Sequence, residues 1–314
     1  MKGYIIKRLL QLIPIIIGIT LLSFAMMRLA GSDAVQEMYS KSGSIVSEEV
    51  IQKAREDLGL DKPFFIQYFI WLGGLFRGDM GTSYISGKAV FSTFVSKLPA
   101  TLLLTLMSII LTVAVSLPLG ILAAVKQNKV TDYIIRFCTF IGNSMPNFFI
   151  ALLLMNLLAI QLKWLPVMSS GTNFISGILP TLTLGISMAA KYTRQVRAKV
   201  LEELDKEYVT GLKAKGVRGS VILWASVLKS SMLTIVTLLA LSIGSLLGGT
   251  AIVESIFMWD GVGKLAVDCI SNRDYPLIQA YVVWMAIIYV GVNLVTDILY
   301  HYLDPRVRLG GLKD

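Results

Sequence analysis

Histidine is almost missing from this sequence of 314 residues: His301 is the only one. A histidine-rich metal site is therefore excluded, and a Ser/His/Asp set could be built only around His301, for which packing is the ordinary role. Cysteine is equally sparse. Cys138 is expected in an apolar segment and Cys269 in a loop, far apart in sequence, so neither a disulfide nor a metal motif is indicated. Charge is scarce too: 16% of residues, against 55% hydrophobic, which is not the balance of a soluble domain. A phosphate-binding loop is also lacking. Gly261-Val262-Gly263-Lys264 holds a Gly-Lys pair, but Leu265 follows where Ser or Thr is required. No metal site, no catalytic residue and no ATP site are expected in the chain itself.

What is abundant is long apolar runs. About 20 such residues cross the hydrocarbon core of a bilayer, and six runs qualify: Leu9–Leu29, Pro99–Val125, Tyr133–Leu162, Ile175–Ala190, Ser231–Ile252 and Ile278–Leu303. The fourth is the shortest. The first, flanked by Lys2, Lys7 and Arg8, is longer than the roughly 7–15 residues of a signal-peptide core, and is read as a retained span. The fold class expected is all-α, a polytopic membrane protein of six transmembrane helices.

The net charge of +9 lies between and beside these runs, the pattern of the positive-inside rule rather than of a nucleic-acid partner. With the N-terminus inside, 18 of the 29 basic residues fall in inside segments. Most of the others lie in residues 30–98, and segments of that length translocate largely regardless of charge. Both termini are then cytoplasmic. Three parts are expected: residues 1–98, a first span plus an extracytoplasmic segment; residues 99–304, a five-span core containing a cytoplasmic loop at 191–229; and residues 305–314, a tail. In the first part, Ser47 looks like an N-cap for a short helix from Glu48 to Leu58 that ends at Gly59. Pro63 to Phe76 is rich in aromatics, which suits a helix at the membrane interface; direct substrate contact is the alternative.

Polar residues inside spans are few. Asp297 suits a structural hydrogen bond better than a proton relay, for which no partner at depth is evident. Asn156 and Asn293 suit packing. Gly244 and Gly248, with Ser245 and Gly249, place a small face on the fifth span, and Gly185 with Ala189 repeats it on the fourth. Pro118 and Pro146 are expected to kink or break their helices.

The segment Lys191 to Lys229 is a polar island holding nine basic residues. Within it Leu201, Leu204, Tyr208 and Leu212 recur at helical spacing. Glu202 and Glu203 stand near the start and Lys213 and Lys215 near the end, as the helix dipole favours. Gly216 follows as a C-cap. An amphipathic helix is expected here, with nothing of its own to bury against. Its apolar stripe could meet anionic lipid or a groove on a soluble partner.

The centre of the island, Tyr208-Val209-Thr210-Gly211-Leu212-Lys213-Ala214-Lys215-Gly216, resembles the cytoplasmic loop of permease subunits of ATP-binding-cassette importers in the dipeptide/oligopeptide/nickel group. Leu58 to Pro63, Gly78 to Ser83, Leu98 to Leu102, Ser144 to Phe148, Gly261 to Gly263, Asn272 to Pro276 and Asp304 to Arg308 resemble other segments of that family, in the right order. The family's downstream Leu-Pro pair is replaced by Leu233-Thr234, a basic pair before it by Ala225 and Ser226, and a proline by Asp260. The resemblance implies a type I importer permease fold, and a chain that is not an enzyme. It implies a second homologous permease, two ATPase subunits that bind ATP and magnesium, an extracytoplasmic substrate-binding protein, and a bacterial inner membrane. Leu204, Tyr208, Leu212, Ala214 and Gly216 would contact an ATPase. The loop with Asp260, Gly261, Gly263, Arg273, Asp274 and Tyr275 would face the binding protein. Short peptides and nickel or its chelates are both cargo in this family; Gly81 to Tyr84 and Met145 to Phe148 lean toward nickel. An ion-coupled secondary transporter is the alternative, and Asp297 alone supports it poorly.

Overall fold

The computed structural model describes residues 2–29, 35, 39, 47–57, 59–168, 171 and 173–303. Among them the regular structure is helical, with one isolated bridge between Thr82 and Ala89. The helices are α1 (Lys2–Leu29), α2 (Glu48–Asp57), α3 (Phe64–Phe76), α4 (Val90–Val125), α5 (Val130–Ser144), α6 (Asn147–Leu154), α7 (Phe174–Leu204), α8 (Glu207–Ala214), α9 (Gly219–Val221), α10 (Leu228–Ile256), α11 (Val262–Asn272) and α12 (Tyr275–Leu303). Met155–Gln161 extends α6, and Ile222–Val227 joins α9 to α10, both as π-helix.

Among the described residues, three helices are long and apolar enough to cross a membrane: Val90–Val125, Phe174–Leu204 and, within α12, Tyr275–Thr296. The expected third span is not one rod. Pro146 lacks the N–H that would continue α5, so Val130–Ser144 and Asn147–Gln161 meet at 104°, a fourth span if the bent pair is taken as one. Pro118, by contrast, leaves α4 continuous. The fourth run is longer than expected, because α7 carries on as helix from the apolar stretch deep into the island.

The chain divides into two compact units, Met1–Thr101 with Asp260–Val290 and Leu102–Trp259 with Gly291–Asp314. In the first, α3 lies on α1. Phe24 meets Phe64 and Tyr68 edge to face at 5.2 and 5.7 Å, and Tyr68 Oη is 3.0 Å from Thr20 Oγ1. Phe65, Phe69 and Phe76 face outward, as a helix at a membrane interface would place them. The core there joins Met80, Val90, Cys269, Leu277 and Ala280, so Cys269 lies in helix α11 rather than in a loop.

In the second unit, α4 and α7 approach closely at glycines. A Cβ on Gly185 would stand 2.4 Å from Leu111 Cδ2, and one on Gly120 2.6 Å from Val196 Cβ. The predicted small face of the fifth span divides. Gly244 is buried, Gly248 is exposed with nothing within 4 Å of a Cβ, and the surroundings of Gly249 lie outside the described residues. The side chains of Asp297 and His301 also lie outside them, as does the segment Asp304 to Arg308.

Candidate functional site

The island begins as the last turns of α7. That helix ends at Leu204, Asp205 caps it, and Lys206 turns extended at ψ 148° before α8 starts at Glu207. The expected single amphipathic helix is therefore two helices with a sharp corner, and the stripe Leu201–Leu204–Tyr208–Leu212 is split across them. Nor does α8 lack something to bury against. Val209 is fully buried in a cluster with Val196, Val200, Ile222, Val227 and Leu228, and Leu201, Leu204 and Leu212 pack on its edge. The two-residue break turns the leucines of the stripe inward, onto the chain's own core, and leaves Tyr208 exposed.

A buried carboxylate fixes the corner. Glu203, near the end of α7, accepts hydrogen bonds from Lys206 Nζ on one oxygen and from Tyr208 Oη, at 3.1 Å, on the other. The hydrogen bond to Glu203 holds the Lys206 ammonium above its ordinary pKa. Burial, and then the same carboxylate, raise the Tyr208 phenol, so it stays a donor at neutral pH. Sequence reasoning used Glu203 only as a dipole charge; the signal missed was its spacing, three and five residues ahead of a lysine and a tyrosine.

The end of α8 is a Schellman motif. Gly216 takes φ +75°, its N–H donates to Lys213 O at 3.0 Å, and Val217 N–H donates to Leu212 O at 3.1 Å. Val217 and Leu212 both pack on the core cluster. The expected cap is thus present at Gly216, two residues beyond the last helical position. Of the five residues assigned to partner contact, Leu204 and Leu212 are half-buried on this chain's core, whereas Tyr208, Ala214 and Gly216 are exposed. Thr210, Gly211 and Lys213 share the open face.

A second polar fixture was not anticipated. Arg197 of α7 binds Asp132 of α5 through Nε and Nη2, each at 2.7 Å, and Asn128 N–H donates to Asp132 at 3.0 Å. The Asp132 side chain is wholly buried. Its signal was one acid in an otherwise basic stretch, Lys126 to Arg136.

The segment expected to face a binding protein is mostly helix α11, in the first unit. Of the residues expected to face the binding protein, Gly261, Gly263 and Asp274 are buried within this chain. Asp274 accepts from Ser83 Oγ and, at 3.2 Å, from Tyr84 N–H, tying the α11–α12 junction to the 79–89 turns. Arg273 makes that junction at φ +56°. Asp260 and Arg273 are exposed, Asp260 pairing with Lys97, while Tyr275 is half-buried.

Two family models match the chain: the binding-protein-dependent transport system inner membrane component over residues 116–309, and its N-terminal companion over residues 1–105. The chain belongs to this family. It is 38% identical to the oligopeptide transport system permease protein AppB of Bacillus subtilis, over 98% of this chain and 100% of that one. It is 36% identical to the glutathione transport system permease protein GsiC of Pectobacterium atrosepticum, over 98% and 99%. The dipeptide transport system permease protein DppB of Alkalihalophilus pseudofirmus is 33% identical, over 98% and 100%. Among solved structures, a chain of the inward-facing MetNI methionine ABC transporter superposes with a TM-score of 0.55 at 16% identity, covering 67% of this chain and 96% of that one. That likeness shows the fold, the type I importer permease. As a family member the chain is an inner membrane permease subunit of an ABC importer and not an enzyme; ATP hydrolysis belongs to partner ATPases.

Proposed function

We propose that this chain forms, with a second homologous permease, the translocation pathway of an importer for short peptides. The observation that carries the substrate is full-length similarity to permeases named for oligopeptides, dipeptides and glutathione. None of these three is named for nickel, so the leaning toward nickel from Gly81 to Tyr84 and Met145 to Phe148 gives way to peptides. An extracytoplasmic binding protein delivers the cargo, and two ATPase subunits beneath bind ATP and magnesium. Six spans, with α1 and α10 completing the set, put both termini in the cytoplasm. Helix α8 is the coupling helix. Its buried face anchors it to α7 and α10, and its open face, with Tyr208, Lys213 and Ala214, seats in a cleft of an ATPase. Asp260 and the exposed side of α11 face the binding protein.

Uptake decides the cargo. In cells lacking this chain, restoring it recovers uptake of labelled dipeptide and leaves labelled nickel unchanged; the reverse pattern would overturn the peptide assignment. Gly216→Asp tests the coupling role. A side chain at φ +75° costs about 1–2 kcal/mol and loosens the end of α8, so transport collapses while membrane insertion persists. Normal uptake by that variant contradicts the assignment.

A further inference from the structure

Helices α5 and α7 are pinned at two points, Asp132 on Arg197 and Gly142 against Ala190, where a Cβ would stand 3.0 Å from its neighbour. Between the pins runs an open cleft of about 880 Å³. From it we infer a binding site for the headgroup of an anionic glycerophospholipid that carries a free hydroxyl, such as phosphatidylglycerol.

Four cations line the cleft; Arg197 is spent on Asp132, and the other three, Arg136, Lys191 and Arg194, are exposed. Asp132 is hydrogen-bonded to Arg197 and the Asn128 N–H, and its ion pair is with Arg197 rather than with any of these three. No acidic residue lines the cleft. Its depth is that of a headgroup. Arg136 is the last charge before the uncharged stretch 137–162, and Lys191 the first after the uncharged stretch 174–190. Both therefore mark one edge of the apolar zone. Beyond that edge the wall turns apolar and outward: Phe137 and Phe140 are each 65% exposed, a surface for acyl chains. Basic pockets between spanning helices hold anionic headgroups in this way.

Gln195 supplies selectivity. It lines the cleft, and its Oε1 is buried without a hydrogen-bond partner among the described residues; an acceptor left so costs stability until a donor reaches it. A headgroup hydroxyl beside the phosphate is such a donor. Phosphatidic acid has the phosphate and lacks the hydroxyl.

The test uses the transporter purified with its accompanying subunits, in nanodiscs of phosphatidylglycerol, phosphatidic acid and phosphatidylcholine, with retained lipid counted by native mass spectrometry. Wild type retains phosphatidylglycerol. Arg136→Gln/Arg194→Gln retains about 25-fold less, about fivefold for each cation, and Arg194→Lys retains most. Gln195→Leu loses the preference for phosphatidylglycerol over phosphatidic acid. Should the double variant fail to assemble, Lys191→Gln decides by the same fivefold criterion. Equal retention by wild type and variants overturns the site. So does displacement of the lipid by inorganic phosphate, which marks a free-anion site, or cross-linking of Phe137→Cys to another subunit, which marks a protein interface.

Discussion

Single residues set the close approaches in this chain. At Gly120 a methyl group would meet Val196 at 2.6 Å and the Thr193 carbonyl at 2.9 Å, and backbone cannot yield as a flexible side chain can. Gly120→Ala is expected to destabilise the protein by about 1–3 kcal/mol, whereas Gly248→Ala, with open space around it, is neutral. Thermal unfolding in detergent compares the two, and equal melting points would contradict the packing described. Cys269 gives a second expectation. Burial first, then the Asp274 and Asp268 carboxylates, push its thiol up from 9.0 to about 12. The thiol thus resists maleimide at pH 8 until the protein unfolds, and rapid labelling of the folded transporter would contradict its burial. Between pH 9 and about 12 the unfolded chain has released this proton and the folded chain has kept it. Stability therefore falls as pH rises through that window.

At the scale of elements, α8 depends on the residue that hangs it from α7. Glu203→Ala strips both Lys206 and Tyr208 of their acceptor; Tyr208→Phe removes one hydrogen bond, worth about 1 kcal/mol. The larger change is expected to uncouple the transporter, with ATP hydrolysis continuing and peptide uptake falling, and the smaller to do so mildly. Matched loss of hydrolysis and uptake in Glu203→Ala would point to collapse instead. The helices themselves were largely legible in the sequence, because hydrophobic runs and helix-ending glycines act locally: Gly59 and Gly216 stand where expected, at φ +64° and +75°. The corner at Asp205–Lys206 was not legible. It follows from a carboxylate at 203 reaching forward to 206 and 208, and periodicity alone runs straight through it. The Asp132–Arg197 pair was hidden for another reason, since 65 residues separate its members. Likewise, Asp274 looked like a surface loop residue until its partners, 190 and 191 residues away, were in view.

For the molecule as a whole, family membership makes this chain one part of a larger machine. Its own sequence contains no nucleotide loop, and ATP hydrolysis belongs to partner ATPases. The most direct measurement of that claim is to purify the tagged chain from native membranes in mild detergent and identify what comes with it. A second related permease and two ATPase subunits are expected, with Ala214→Cys cross-linking to an ATPase. A chain that purifies alone and moves peptide across liposomes without ATP would contradict the account.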